Sequence, residues 1–304
     1  MMHLVSIVGL AFLLVGCGGG SKPYLTVYAS QDEVYAEPIL RAFSSETGIE
    51  VRTLFDSEAV KTVGLANRLI AERGAPQADV FWSNEELRTR QLAAMGVFRG
   101  SKGWVSFGSR TRRLVVNTQL VSLASAPASL DALTNAEWRG KIALAYPMFG
   151  STSTHFQVLR QRWGEARWLD WCKAIHANQP YLVDGNSLVV QLVGRGQAAI
   201  GLTDSDDVAA GAREGLPIRA LPLTEEMLGI PNTLGLIRGR SHPELADQLV
   251  AYLQKPSVLK RLIDANALES GDLPLIPVRQ AIQWDRLLEE LPRSTEALSS
   301  VFLR

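Results

Sequence analysis

Four aspartates, Asp32, Asp204, Asp206 and Asp207, stand where a strand or turn is expected to end. Carboxylates in such places can receive an ammonium group, hydroxyls or a cation. Three hydroxyl residues, Ser57, Ser151 and Thr152, stand at expected helix starts. Free backbone amides and the helix dipole favour an anion there. Each residue also has a plainer explanation. A serine at a helix start most often only caps it, and aspartate is common in solvated turns. Taken together, the two sets describe a polar binding site with an acidic part and an anion-holding part.

Motifs for catalysis are scarce. The chain has four histidines, and none has a partner at helical metal-binding spacing. No Gly-x-Ser-x-Gly elbow and no phosphate-binding Walker loop occur. Gly194-Arg195-Gly196-Gln197-Ala198-Ala199 has the look of a dinucleotide glycine motif. It precedes a strand instead of following one, so it reads as a turn. No cofactor is expected.

Those residues need elements to hold them. Leu25–Tyr28 is a short β-prone run, followed by a helical pattern over 34–46 that Thr47-Gly48 stops. Residues 49–54 alternate like a strand, 59–72 are helical in pattern, and 78–82 form a third strand. Strand–helix–strand–helix–strand is the order of a parallel α/β sheet, whose ligands sit beyond the carboxyl ends of its strands. Those ends are Ala29-Ser30-Gln31-Asp32, Asp56-Ser57-Glu58 and Ser83-Asn84-Glu85. A second unit follows. Residues 113–117 and 142–146 are strand-like, and Ser151–Thr154 could cap a helix. Residues 198–202 are a strand ending in Thr203-Asp204-Ser205-Asp206-Asp207. A further strand is expected near 233–237, and the chain from His242 is mostly helical in pattern.

Composition bounds the partners. Thirty-one basic and 31 acidic residues give a net charge of zero, without a basic stripe for nucleic acid. The 46% apolar content suits a folded chain. At the amino end, apolar residues 4–15 lead to Gly16-Cys17. The stretch is too short for a permanent bilayer span and reads as an export signal. Its cysteine fits a bacterial lipoprotein signal, 1–17, cut before a lipidated Cys17. Residues 18–23 are a glycine- and serine-containing tether. Cys172 then has no partner and reads as a small buried apolar residue.

Several segments together resemble the periplasmic ferric-iron-binding family, within the extracellular solute-binding proteins of ABC importers. They are Val27-Tyr28-Ala29-Ser30-Gln31-Asp32, Phe43–Val51, Gln77–Asn84, Trp138–Ile142, Asp184–Ser187 and Gly196–Asp204. The resemblance implies an α/β fold of the type II periplasmic-binding-protein architecture. Two lobes are joined by crossing strands and close like a hinge on a ligand cleft. Residues 24–116 would form the first part of lobe 1, 117–222 lobe 2, and 223–304 the return to lobe 1 with the C-terminal helices. Ferric binders of this group place a histidine or acid after the first strand, an acid after the third, and a tyrosine pair after the strand at 198–202. The matching positions are Asp32, Asn84 and Asp204-Ser205, with no tyrosine pair. The positions resembling the anion pocket, Ser151, Thr152 and Asn186, look intact.

The expected ligand-binding set is therefore Ser30, Gln31, Asp32, Ser57, Ser83, Asn84, Ser151, Thr152, Asn186, Thr203, Asp204 and Asp207. The leading expectation is a monomeric, lipid-anchored, extracytoplasmic protein that hands a small polar solute to an ABC permease. An organic anion such as a phosphonate or phosphorylated sugar fits best, with Asp32 and Asp204 facing its amine or hydroxyls. The alternative ligand is ferric iron or another metal held by Asp32 and Asp204. Two other classes stay open: a secreted lipoprotein enzyme acting on a phosphate or sugar ester, and a sensor or structural lipoprotein.

Overall fold

The computed structural model describes residues 24–56, 63–100, 103–222, 224–271 and 281–303. Cys17, the tether and Ser57 lie outside the described residues. The chain begins with Tyr24–Ala29 (β1), Glu33–Thr47 (α1), Glu50–Phe55 (β2), Val63–Ala71 (α2), Val80–Ser83 (β3) and Glu86–Ala94 (α3). Trp104–Asn117 (β4) leads into Ile142–Ala145 (β5), Gly150–Trp163 (α4), Glu165–Ala177 (α5), Tyr181–Val183 (β6) and Asn186–Gly194 (α6). Ile200–Asp204 (β7), Ser205–Arg213 (α7), Ile218–Ala220 (β8) and Gly229–Leu236 (β9) follow. Pro243–Leu253 (α8), Pro256–Asp264 (α9) and Trp284–Phe302 (α10) end the chain.

β1 runs parallel to β2 and β3, as helical crossovers require. In α1, Ala36, Ile39, Leu40 and Phe43 are buried on one face, and Gly48 ends the helix at φ 74°. β5 likewise runs parallel to β6 and β7. The strand order is β2-β1-β3-β9-β4-β7-β5-β6, with β8 on β4.

The long strand β4 belongs to both halves of the molecule. Up to Thr111 it pairs with β9. From Arg112 it pairs with β7, and from Val115 with β8 as well. It starts nine residues before the expected Arg113, and its partner changes between Thr111 and Arg112, ahead of the expected division at 116. Each half has its own core. Leu25, Val27, Ile39, Phe43, Leu249 and Leu262 pack in the first, so α8 and α9 belong there. Leu144, Phe156, Trp168, Trp171, Leu298 and Phe302 pack in the second. The last helix, α10, therefore finishes on the second half. Its earlier turns place Leu287 and Leu291 against Leu87, Val158, Leu228 and Ile230, which cements the two halves beside the crossing strands.

A bulge in β4 aims its side chains. The register against β9 shifts between Phe107 and Ser109, and Gly108 there has φ 55°. After the bulge, Arg110 and Arg112 share one face. Thr111 and Arg113 share the other, where both bond Glu269 at 2.6 and 2.8 Å. A slip of one residue would exchange the two faces. Gly108→Ala is expected to cost about 1–2 kcal/mol from its positive φ, with more from the Leu268 side chain, which lies 2.4 Å from where the new Cβ would be. Equilibrium urea denaturation checks it; an alanine variant as stable as wild type would show that the bulge does not need glycine.

Candidate functional site

The carboxyl ends of β1 and β3 meet the N-terminal ends of α4, α6 and α7 around a narrow, polar cleft. From the first half come Asp32 and Asn84. From the second come Ser151, Thr152, Asn186, Asp204, Asp206 and Asp207. Between them, from the crossing strand, stands Arg110. Tyr146 and Phe149 add an aromatic wall, and Asp184 lies at the exposed edge.

Arg110 is 2% exposed and is the one basic residue lining the cleft among the described residues. Its Nη1 donates to the Asn84 carbonyl at 2.6 Å and lies 3.5 Å from Asn232 Oδ1. Its Nη2 and Nε donate to Asp204 Oδ2 at 3.0 and 3.3 Å. Asp206 Oδ2 is also 3.3 Å from Nε. Burial opposes its charge, but Asp206, Asp204, Asp32 and Asp207 outweigh burial and raise its pKa. A guanidinium is charged in any case. It is a fixed cation paired with Asp204 and Asp206 and within electrostatic reach of Asp32 and Asp207.

Asp204 is 1% exposed. Arg112 Nη1 donates to its Oδ1 at 2.6 Å. The Ser151 hydroxyl and the Asn186 amide donate to its Oδ2 at 2.6 and 3.2 Å. Burial pushes its pKa up, but Arg112, Arg110 and the Ser151 hydroxyl bring it down to about 2. Asn186 also donates to Ser151 at 3.0 Å, and Thr152 donates to Asn186 Oδ1 at 3.3 Å. So the side chains expected to hold a ligand's anion are bonded to one another and to Asp204.

Ser151 and Thr152 were expected as caps but lie inside the first turn of α4. Phe149 holds the N-cap position, and no side chain caps the helix. The first amides of α4, at Gly150, Ser151 and Thr152, thus lack intrahelical acceptors and open on the cleft. Four expected site residues do not line it. Ser83 closes a local turn, donating to the Glu85 carbonyl at 2.8 Å and accepting from its amide. Gln31 is 2% exposed and accepts from Asn232 at 3.0 Å. Ser30 is buried behind it. Thr203 donates to the Asn186 carbonyl at 3.1 Å, which fixes the start of α6. In each case the strand end is near the cleft but the side chain turns into the protein.

Sequence reasoning missed Arg110 and Arg112 as site residues. Their signal was two arginines at a spacing of two just before the apolar run Leu114-Val115-Val116. His155 is fully buried, with Nε2 2.8 Å from the Glu226 carbonyl. Burial and Arg112 lower its pKa to about 3, so it stays neutral.

Side chains of α7 and α4 also tie the halves together. Arg213 of α7 donates to the Tyr35 hydroxyl of α1 at 3.2 Å and to the Ala265 carbonyl at 2.9 Å. Thr154 of α4 donates to Glu85 at 2.7 Å, the residue that also caps α3 through the amides of Leu87 and Arg88.

The comparisons with known proteins agree with this architecture. An Fe(3+)-binding periplasmic protein of Serratia marcescens is 30% identical over 196 residues, 59% of this chain and 56% of the relative. The match thus spans little more than half of that protein. Iron-bound HitA from Pseudomonas aeruginosa superposes with a TM-score of 0.77 at 20% identity, over 92% of this chain and 99% of that one. AfuA from Actinobacillus pleuropneumoniae, with fructose-6-phosphate bound, gives 0.78 at 17%, over 93% and 99%. These likenesses show the two-lobe type II fold. The pattern that defines the bacterial extracellular solute-binding proteins matches residues 25–265, and the chain belongs to that family.

Proposed function

We propose that the protein is the solute-capturing component of an ABC importer, closing its two lobes on a small two-ended organic solute. An anionic group, such as a phosphonate or a sugar phosphate, lies against the free amides at the start of α4. Hydroxyls or an ammonium group face Asp32, Asp206 and Asp207. Asp204 serves as part of the floor. Its expected pairing with Asp32 as a direct solute acceptor gives way to Asp206 and Asp207, because two guanidinium groups engage Asp204, at 3.0 and 2.6 Å, whereas Asp206 meets Arg110 at 3.3 Å. The bonds from Arg213 and Thr154 to the opposite half hold the closed form. The AfuA structure, which carries a sugar phosphate, supports this ligand class.

One observation carries the choice of ligand: Arg110 is paired with Asp204 and Asp206 inside the carboxylate cluster. A metal ion would have to share that space with a permanent positive charge, and Tyr146 is the one phenol lining the cleft among the described residues, in place of the tyrosine pair of the ferric binders. The iron reading is favoured by the named function of the Serratia relative. It is also favoured by the carboxylate oxygens of Asp204, Asp206 and Asp207, which lie within 4.8 Å of one another. Native mass spectrometry and elemental analysis of protein purified without chelators separate the two. A retained organic molecule and no stoichiometric iron are expected. One iron per chain overturns the organic-solute reading.

The same proposal places the protein outside the cytoplasm, working with a membrane permease and anchored through a lipid on Cys17. Cys17→Ser is expected to release it from the membrane fraction. A variant processed and retained like wild type would remove the anchor from this account.

A further inference from the structure

We infer that Asp204 is a resident anion that bars compact oxyanions, inorganic phosphate among them, from the side-chain donors of the cleft. The inference deepens the solute reading above and rests on it for the identity of the cleft as the binding site. Four groups converge on this one carboxylate: the Ser151 hydroxyl at 2.6 Å, the Asn186 amide at 3.2 Å, Arg112 at 2.6 Å and Arg110 at 3.0 Å. Two guanidinium groups, a hydroxyl and an amide are the donor set that a phosphate group would use. Here they are saturated by a group of the chain itself.

A free anion competes with Asp204 at a disadvantage. The carboxylate is fixed to the end of β7 and loses no translational freedom on binding. A second anion beside it would meet like charge in a buried setting, where the repulsion is poorly screened. Free phosphate, even with the one or two hydroxyls it keeps at neutral pH, carries no separate second end for Asp32, Asp206 and Asp207, so little offsets that repulsion. An organic solute gains a second set of contacts at Asp32, Asp206 and Asp207. Asp204 thus acts as a specificity determinant, favouring two-ended solutes over the bare anion.

Removing the charge should reverse the preference. Asp204 is the one carboxylate paired with Arg112 among the described residues, and Arg112 is 0% exposed. Without that partner, Arg112 is a buried uncompensated cation close to the open N-terminus of α4. Both features favour an anion.

The test uses inorganic phosphate as the probe, with chloride at matched ionic strength, and reads melting temperature and calorimetric binding at neutral pH. Wild type is expected to show no phosphate-specific shift up to roughly 10 mM. Asp204→Asn and the smaller Asp204→Ser are expected to show a saturable rise, with phosphate binding at least about tenfold tighter than in wild type. Adding Ser151→Ala to Asp204→Asn should abolish the gain. Variants that fold only when refolded in phosphate also support the inference. It is overturned if wild type responds as strongly as the variants, or if folded variants ignore phosphate. It is also overturned if the gain survives Ser151→Ala, or if both variants stay unfolded in phosphate as in chloride. None of these outcomes depends on the retained solute seen by native mass spectrometry, so the two readings fail separately.

Discussion

Arg112→Met is expected to destabilise the protein by about 3–5 kcal/mol, because it strands a buried carboxylate with one of its two cations gone. The methionine fills much of the same volume, so the loss reports charge more than packing. The effect carries a pH signature. In the folded protein Asp204 titrates at about 2, below the roughly 3.9 of an unfolded aspartate. A depressed pKa contributes stability that is complete above the unfolded value and is lost as pH falls through the folded one. In wild type this contribution, about 2–3 kcal/mol, should therefore disappear between about pH 4 and pH 2. Arg112→Met raises the folded pKa of Asp204 and shrinks that loss. Urea denaturation at pH 7, 4 and 2.5 compares the two proteins, with all other carboxylates common to both. Equal losses between pH 4 and 2.5 would show that Arg112 does not hold Asp204 ionised.

The same pair shows what was legible in the sequence. The first half was readable because its signals are local. The apolar spacing of α1, its Gly48 stop and the short runs of β1 and β3 all lie within a few residues. Strand ends placed Asp32, Asn84 and Asp204 around one cleft, and the structure brings them there. The partners of Asp204 were not readable. Arg112 and Arg110 lie 92 and 94 residues away along the chain. They reach it only because the Gly108 bulge sets which face of β4 they occupy. Residue type and strand position gave Asp204 a free carboxylate for a ligand, whereas its neighbours make it an internal counter-ion. Ser83 and Thr203 failed for a related reason. A polar residue at a strand end serves equally well to close a turn or to pin a helix start, and only its surroundings decide which.

Arg110→Met is expected to change what the cleft attracts as well as its stability, because four carboxylates lose a cation whose charge acts on all of them. Asp204 keeps Arg112, but Asp32, Asp206 and Asp207 are left in a cleft whose lining then holds no basic side chain among the described residues. In chelator the variant should be less stable than wild type by about 3–5 kcal/mol. Hard cations prefer carboxylate oxygens, and those of Asp204, Asp206 and Asp207 already lie within 4.8 Å of one another. Calcium at roughly 5 mM is therefore expected to raise the melting temperature of Arg110→Met while leaving wild type unchanged. The response is opposite in sign to that of Asp204→Asn, which should draw phosphate and ignore calcium. If Arg110 were only a structural tie between the lobes, its loss would lower stability equally with calcium or chelator. Equal melting temperatures for Arg110→Met in the two buffers would remove the resident-cation account, and with it the electrostatic reason for excluding a metal from the native cleft.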